Sequence, residues 1–137
     1  MAALEDQLQL ILTGSGYNSN LGNNIYEWRE ETIEEHHLPA CIYRDVQDTT
    51  EQTFGNQEHR LSVSLEIFAN CTAAVMRGIV ADVTQCLGNN LTLGGLCEDI
   101  GVIGDETIKV EHDDRRIFGI SVKIVIQYIT ANWNPYA

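Results

Sequence analysis

The chain is short of positive charge. Eight Lys and Arg face twenty Asp and Glu over 137 residues, giving a formal net charge of −12 and a pI near 4.5. A protein that grips duplex DNA neutralises phosphates with clustered cations. Here only Arg115 and Arg116 adjoin, directly after Asp113 and Asp114, so a sequence-specific nucleic-acid binder is disfavoured. Long apolar runs are missing too: no stretch reaches the roughly 18 residues that a membrane-spanning helix needs. Residues 1–12 carry Glu5 and Asp6 and no basic residue, unlike a secretory leader, and the expectation is a cytosol-like compartment. The four cysteines, Cys41, Cys71, Cys86 and Cys97, lack C-x-x-C spacing. In a reducing compartment they read as small buried residues rather than disulfides or zinc ligands.

Catalytic and cofactor motifs are equally scarce. Gly14-Ser15-Gly16 and Gly94-Gly95 stand alone, with no following Lys-Ser/Thr to hold a phosphate. No G-x-S-x-G nucleophile turn occurs. His36 and His37 adjoin Glu34 and Glu35. In an extended segment adjacent histidines point to opposite faces, so a surface feature is the plainer reading and a metal site the sharper one. His59 and His112 sit beside charged residues and read the same way. Glu66 is the one acid inside a regular alternation, opposite Leu65 and Ile67, which suits a solvent or interface position. No residue is nominated as catalytic, metal-binding or cofactor-binding, and the chain is expected not to be an enzyme.

What is present is enough apolar material for a core. At 44% hydrophobic and 20% charged, residues 1–137 are expected to form one domain. Leu4, Leu8, Ile11 and Leu12 recur at helical spacing over residues 2–13, stopped by Gly14 and Gly16. Residues 27–35 are an acidic stretch read as a solvated face. Pro39 opens a short strand, Ala40-Cys41-Ile42-Tyr43. Residues 45–57 are polar and read as a long connection, with Asp45, Asp48, Glu51 and Phe54 as a candidate docking set and Phe54 its anchor. Leu61, Val63, Leu65 and Ile67 alternate with Ser62, Ser64 and Glu66 as a half-buried strand. A helix capped by Asn70 or Thr72 follows, with Val75, Met76, Ile79, Val80, Val83 and Leu87 on one face. Residues 91–104, rich in glycine, read as tight turns. Residues 107–111 and 117–130 give two closing strands with a turn at Asp113-Asp114. The last carries a second apolar set, Val125 and Ile129, which suggests cover on both sides. The sum is α+β: a mostly antiparallel sheet of about four strands with two main helices packed on it.

The segment Leu38-Pro39-Ala40-Cys41-Ile42-Tyr43, a polar connection, then His59-Arg60-Leu61-Ser62-Val63-Ser64-Leu65-Glu66-Ile67-Phe68 resembles the paired strands of phage tail terminators. These are the minor tail protein U family and related tail-completion proteins of long-tailed bacteriophages. There, a proline opens the first strand and an alternation ending in Glu-Ile-Phe or similar closes the second. The later order is also similar: a capped helix with Ile79-Val80-Ala81-Asp82-Val83, then Leu91-Thr92-Leu93-Gly94-Gly95-Leu96, then a strand ending in Tyr128-Ile129-Thr130 before Asn134-Pro135. The Asn-rich and acidic residues 17–35 depart from the pattern.

The resemblance implies an α+β ring protein, hexameric, that caps the end of the tail tube, stops its polymerisation and forms the joint to the head-neck connector or stopper. It implies a place at the head–tail junction of a virion assembled in the bacterial host cytoplasm. It implies no catalytic residue and no cofactor. DNA would pass through the ring lumen without specific binding, past an acidic wall that repels phosphate. Glu66, Phe68, Val125 and Ile129 are the candidate subunit interface. A head-side connector or stopper of the neck, and a small metal-binding enzyme using His36, His37 and neighbouring glutamates, are the competing readings.

Overall fold

The computed structural model describes residues 2–28, 38–52, 54–95, 97–112 and 115–131. His36, His37, the acidic residues 30–35, the Asp113-Asp114 turn and the Asn134-Pro135 tail lie outside them.

Among the described residues, five strands form one sheet in the order β1-β2-β3-β5-β4. β1 is Ile25–Glu27, β2 Ala40–Gln52, β3 Asn56–Ala69, β4 Asp99–His112 and β5 Arg115–Ala131. Two helices, α1 (Ala2–Leu8) and α2 (Ala73–Gly88), accompany it. The class is α+β as expected, with β2, β3, β5 and β4 antiparallel in succession. The strand count is corrected from four to five. The addition is β1, parallel to β2 and paired at Cys41, Ile42 and Tyr43, so the sheet is mixed at that edge. Three residues are too few to display an alternation, which is why β1 left no sequence signal.

The alternation of β3 holds. Val63, Leu65, Ile67 and Ala69 are buried, facing a core completed by Cys41 and Tyr43 from β2 and by Val122, Ile124 and Ile126 from β5. The helices close it with Leu4, Leu8, Met76, Ile79, Val83, Cys86 and Leu87. α2 starts where Thr72 Oγ1 accepts the Val75 N–H at 3.4 Å, so Thr72 rather than Asn70 is the cap. Val75, assigned to its apolar face, is instead 54% exposed. α1 is shorter than the 2–13 periodicity suggested. Its last turn tightens into i→i+3 bonds (Leu10 N–H to Gln7 O, Ile11 N–H to Leu8 O), which still delivers Ile11 to the core. At Gly22 the chain passes so close to the carbonyls of Gln9 and Ile11 that a Cβ would collide with them.

Three further expectations are corrected. Residues 45–57 are not a loop: β2 and β3 run almost to their tip, in register from Gln47↔Ser62 to Gln52↔Gln57. Their Thr, Gln and Glu side chains hid the strand, because backbone pairing needs no apolar face where no layer covers the sheet. The glycine-rich residues 91–104 turn only as far as Gly95, and β4 begins at Asp99. Finally, β5 is covered on both faces in part, but not at the second apolar set. On the helix-free face Gly119 and Ser121 are buried and Val125 half-buried, while Lys123 and Ile129 are exposed.

Candidate docking surface

Two latches hold the helical layer to its surroundings. Gln7 Nε2 donates to Cys86 O at 2.8 Å and Cys86 Sγ donates to Gln7 O at 3.0 Å, tying α1 to the end of α2. The buried carboxylate of Asp82 accepts from Asn18 N–H (2.9 Å) and Ser19 Oγ (2.7 Å), tying the turn before β1 to α2. A buried carboxylate is tolerated only with such donors. Neither latch leaves a reactive group free for chemistry.

Beyond the row Asp48–Leu61–Ile126–Ile100 the core ends and the sheet continues as a three-stranded blade of β2, β3 and the end of β5. On the core-side face of this blade polar side chains replace aliphatic ones. His59 is buried; its Nδ1 lies 3.2 Å from Asp48 Oδ2 and its Nε2 2.9 Å from Thr130 Oγ1. Tyr128 stacks on the His59 ring with centroids 4.4 Å apart and donates its hydroxyl to Asp48 Oδ2 at 2.9 Å. Burial, then the hydrogen bond and charge of Asp48, push the Tyr128 phenol up to about 12. The network spans all three strands and stiffens the blade against twisting. Its sequence trace was a His two residues before the alternation and a Tyr near the end of β5, too far apart to be joined by inspection.

The candidate docking residues therefore separate by role. Asp48 is absorbed in that network. Asp45 accepts the Trp28 indole N–H at 2.7 Å. Glu51 is exposed and lies directly opposite Glu58, a like-charge pair that a cationic partner would relieve. Phe54 stands at the tip, fully exposed at 106% relative area. Sequence reasoning passed over Val46, which is 68% exposed where the β2–β3 register skips.

Glu66, Phe68, Val125 and Ile129 all lie on the helix-free face, as alternation implied, but they do not form one patch. Glu66 Oε1 lies 3.3 Å from Arg44 Nε. Phe68 packs into a small cluster with Ala40, Ile42, Tyr26 and Leu38. Val125 lies opposite Ser62, and the 39%-exposed Ile129 opposite Glu58, ten residues from Phe68 along β3. At strand rise that is about 33 Å.

A shallow cavity of about 380 Å³ opens between α2 and the start of β2, lined among others by Leu38, Pro39, Cys71, Val75 and Ile79. Among the described residues its lining holds no His, Asp or Glu. Burial raises the Cys71 thiol pKa, the opposite of what an activated nucleophile needs. Among the described residues no group of three or more His, Cys, Asp or Glu is placed to hold a metal ion.

No protein-family model matches the chain, and no curated protein matches it. Among solved structures, the chain is similar to a chain of the virion of a native gene transfer agent particle. The TM-score is 0.61 at 10% sequence identity, covering 94% of this chain and 93% of that one. The chain shares a fold with a virion component.

Proposed function

We propose that this chain is a structural protein of a phage-type virion rather than an enzyme, and that it acts as a tail terminator. In this reading a ring of copies, six by the sequence resemblance, caps the tail tube, halts its growth and presents the surface to which the neck joins. The observation that carries the reading is the end-to-end likeness to a gene transfer agent virion chain, 94% of one and 93% of the other. The blade supports it. A rigid three-stranded extension ending in a fully exposed Phe54 offers an aromatic anchor of the kind that concentrates binding energy at an interface. The acidity supports it as well, since a −12 chain arranged around a channel keeps phosphates off the wall.

The test is tube growth. Purified protein added to polymerising tail tubes should give tubes that stop, with protein at one end in electron micrographs. Tubes that lengthen at an unchanged rate with bare ends would sink the reading. Binding to DNA-filled heads with no effect on tubes would transfer the assignment to the head-side connector.

A further inference from the structure

Each long outer strand of the sheet carries one bulge. In β2 the register skips between Asp45 and Gln47, leaving Val46 unpaired. In β4 it skips between Val102 and Gly104, leaving Ile103 unpaired. Val46 is 68% and Ile103 64% exposed, the most exposed apolar side chains after Phe54 among the described residues. Both bulges adjoin the same cross-sheet row, Asp45–Val63–Ile124–Val102, one on either side of it. Two branched aliphatic residues therefore stand at opposite edges of one sheet, offset along the strands by about one residue, or about 3.3 Å.

Among the described residues no strand pairs with either edge at these bulges: β1 covers β2 only at Cys41, Ile42 and Tyr43, and no strand borders β4 on its outer side. The described neighbour nearest Val46 on the β1 side is Trp28, whose indole N–H donates to Asp45. Bulges are a known means of blunting an edge against indiscriminate strand pairing, and they set a register where pairing is wanted. β2 and β4 run in opposite directions, because each neighbouring pair between them is antiparallel. A second copy brought alongside by rotation about an axis along the strands would lay its β4 antiparallel to β2 of the first. Such a head-to-tail contact closes into a ring when the rotation carries no rise along the axis, and Val46 and Ile103 lie close enough in height to meet under a pure rotation.

We propose that the occupant of each edge is a second copy of this chain, with Ile103 of one copy packed against Val46 of the next. The inference rests on the ring reading and names its contact. It also replaces the helix-free face with the sheet edges as the main seam between copies.

Val46→Asp and Ile103→Asp each place a charge at one half of the seam while leaving the other intact, and both sites are exposed enough to spare the fold. Sedimentation velocity is run in high salt, where the charge of each copy is screened. Wild type should assemble, and each variant should need at least tenfold more protein to do so. In a Val46→Cys/Ile103→Cys double variant, oxidation on tube ends should give a covalent ladder ending at the ring, whereas either cysteine alone should give none. Variants that assemble like wild type, or a single cysteine that crosslinks to itself, would overturn the edge contact while leaving the ring. A wild type that stays monomeric both in solution and on tubes overturns both.

Discussion

Along β3, residues Val63 to Ala69 alternate buried and half-buried beneath two helices, whereas residues 56–60 of the same strand lie in the blade, and of these five His59 alone is buried. The base is held by aliphatic packing, which is non-directional and sums over many contacts. The blade is held by hydrogen bonds and one ring stack, which are directional and few. One backbone thus passes from a region that fixes stability to one that fixes shape. A docking element suits the second kind, since it must present Phe54 rigidly without consuming apolar residues that a partner could use.

The widest separation between the regions should come from truncation in the base. Leu65 is fully buried, so Leu65→Ala is expected to cost about 2–5 kcal/mol by denaturant unfolding. Gly22→Ala tests the other side of the same packing. The added methyl meets the Gln9 and Ile11 carbonyls, and the close approach must open at a cost of about 1–3 kcal/mol. A neutral result at either position would mean that the base yields more than its burial implies.

The base was legible in the sequence because burial writes itself as periodicity. Leu61 to Ile67 showed period two, and Met76 to Leu87 showed a helical face that Thr72 begins. The blade was not legible. Thr49, Glu51 and Gln52 pair through their backbones while their side chains stay exposed, a pattern shared with loops. β4 was hidden for a related reason: Gly101 and Gly104 sit within a strand beside its bulge, where glycine reads as a turn. Of the candidate site, Phe54 was visible as an aromatic in polar surroundings. Val46 and Ile103 gained meaning only from the register of strands distant in sequence.

Alkaline pH should sharpen the comparison. Cys41 in the base is pushed up to about 12, first by burial and then by Glu66, and Tyr128 in the blade also to about 12, first by burial and then by Asp48. Both groups are neutral in the fold and ionise more readily in the unfolded chain. Their contribution is therefore complete below the unfolded values, near 9 and 10, and falls as pH rises toward 12. Unfolding free energy measured from pH 8 to 11 should decline, and Tyr128→Phe should remove part of that decline. At neutral pH the same substitution should cost about 0.5–1.5 kcal/mol, the worth of one hydrogen bond. An identical pH slope in the variant would place the alkaline sensitivity wholly in the base.

The smallest effect on stability should accompany the largest effect on docking. Phe54 is fully exposed at the blade tip, so Phe54→Ala removes no buried surface, and unfolding should shift by no more than about 0.5 kcal/mol. If the tip seats in a pocket of the tube, the same change removes an interfacial aromatic worth about 2 kcal/mol or more, a loss of at least about thirtyfold in affinity for tube ends. Measuring melting and tube-end binding on one preparation separates the two. Unchanged melting with weakened binding assigns the blade to docking. Unchanged binding would move the contact off the tip, and a lowered melting point would mean that Phe54 packs against its own domain in solution.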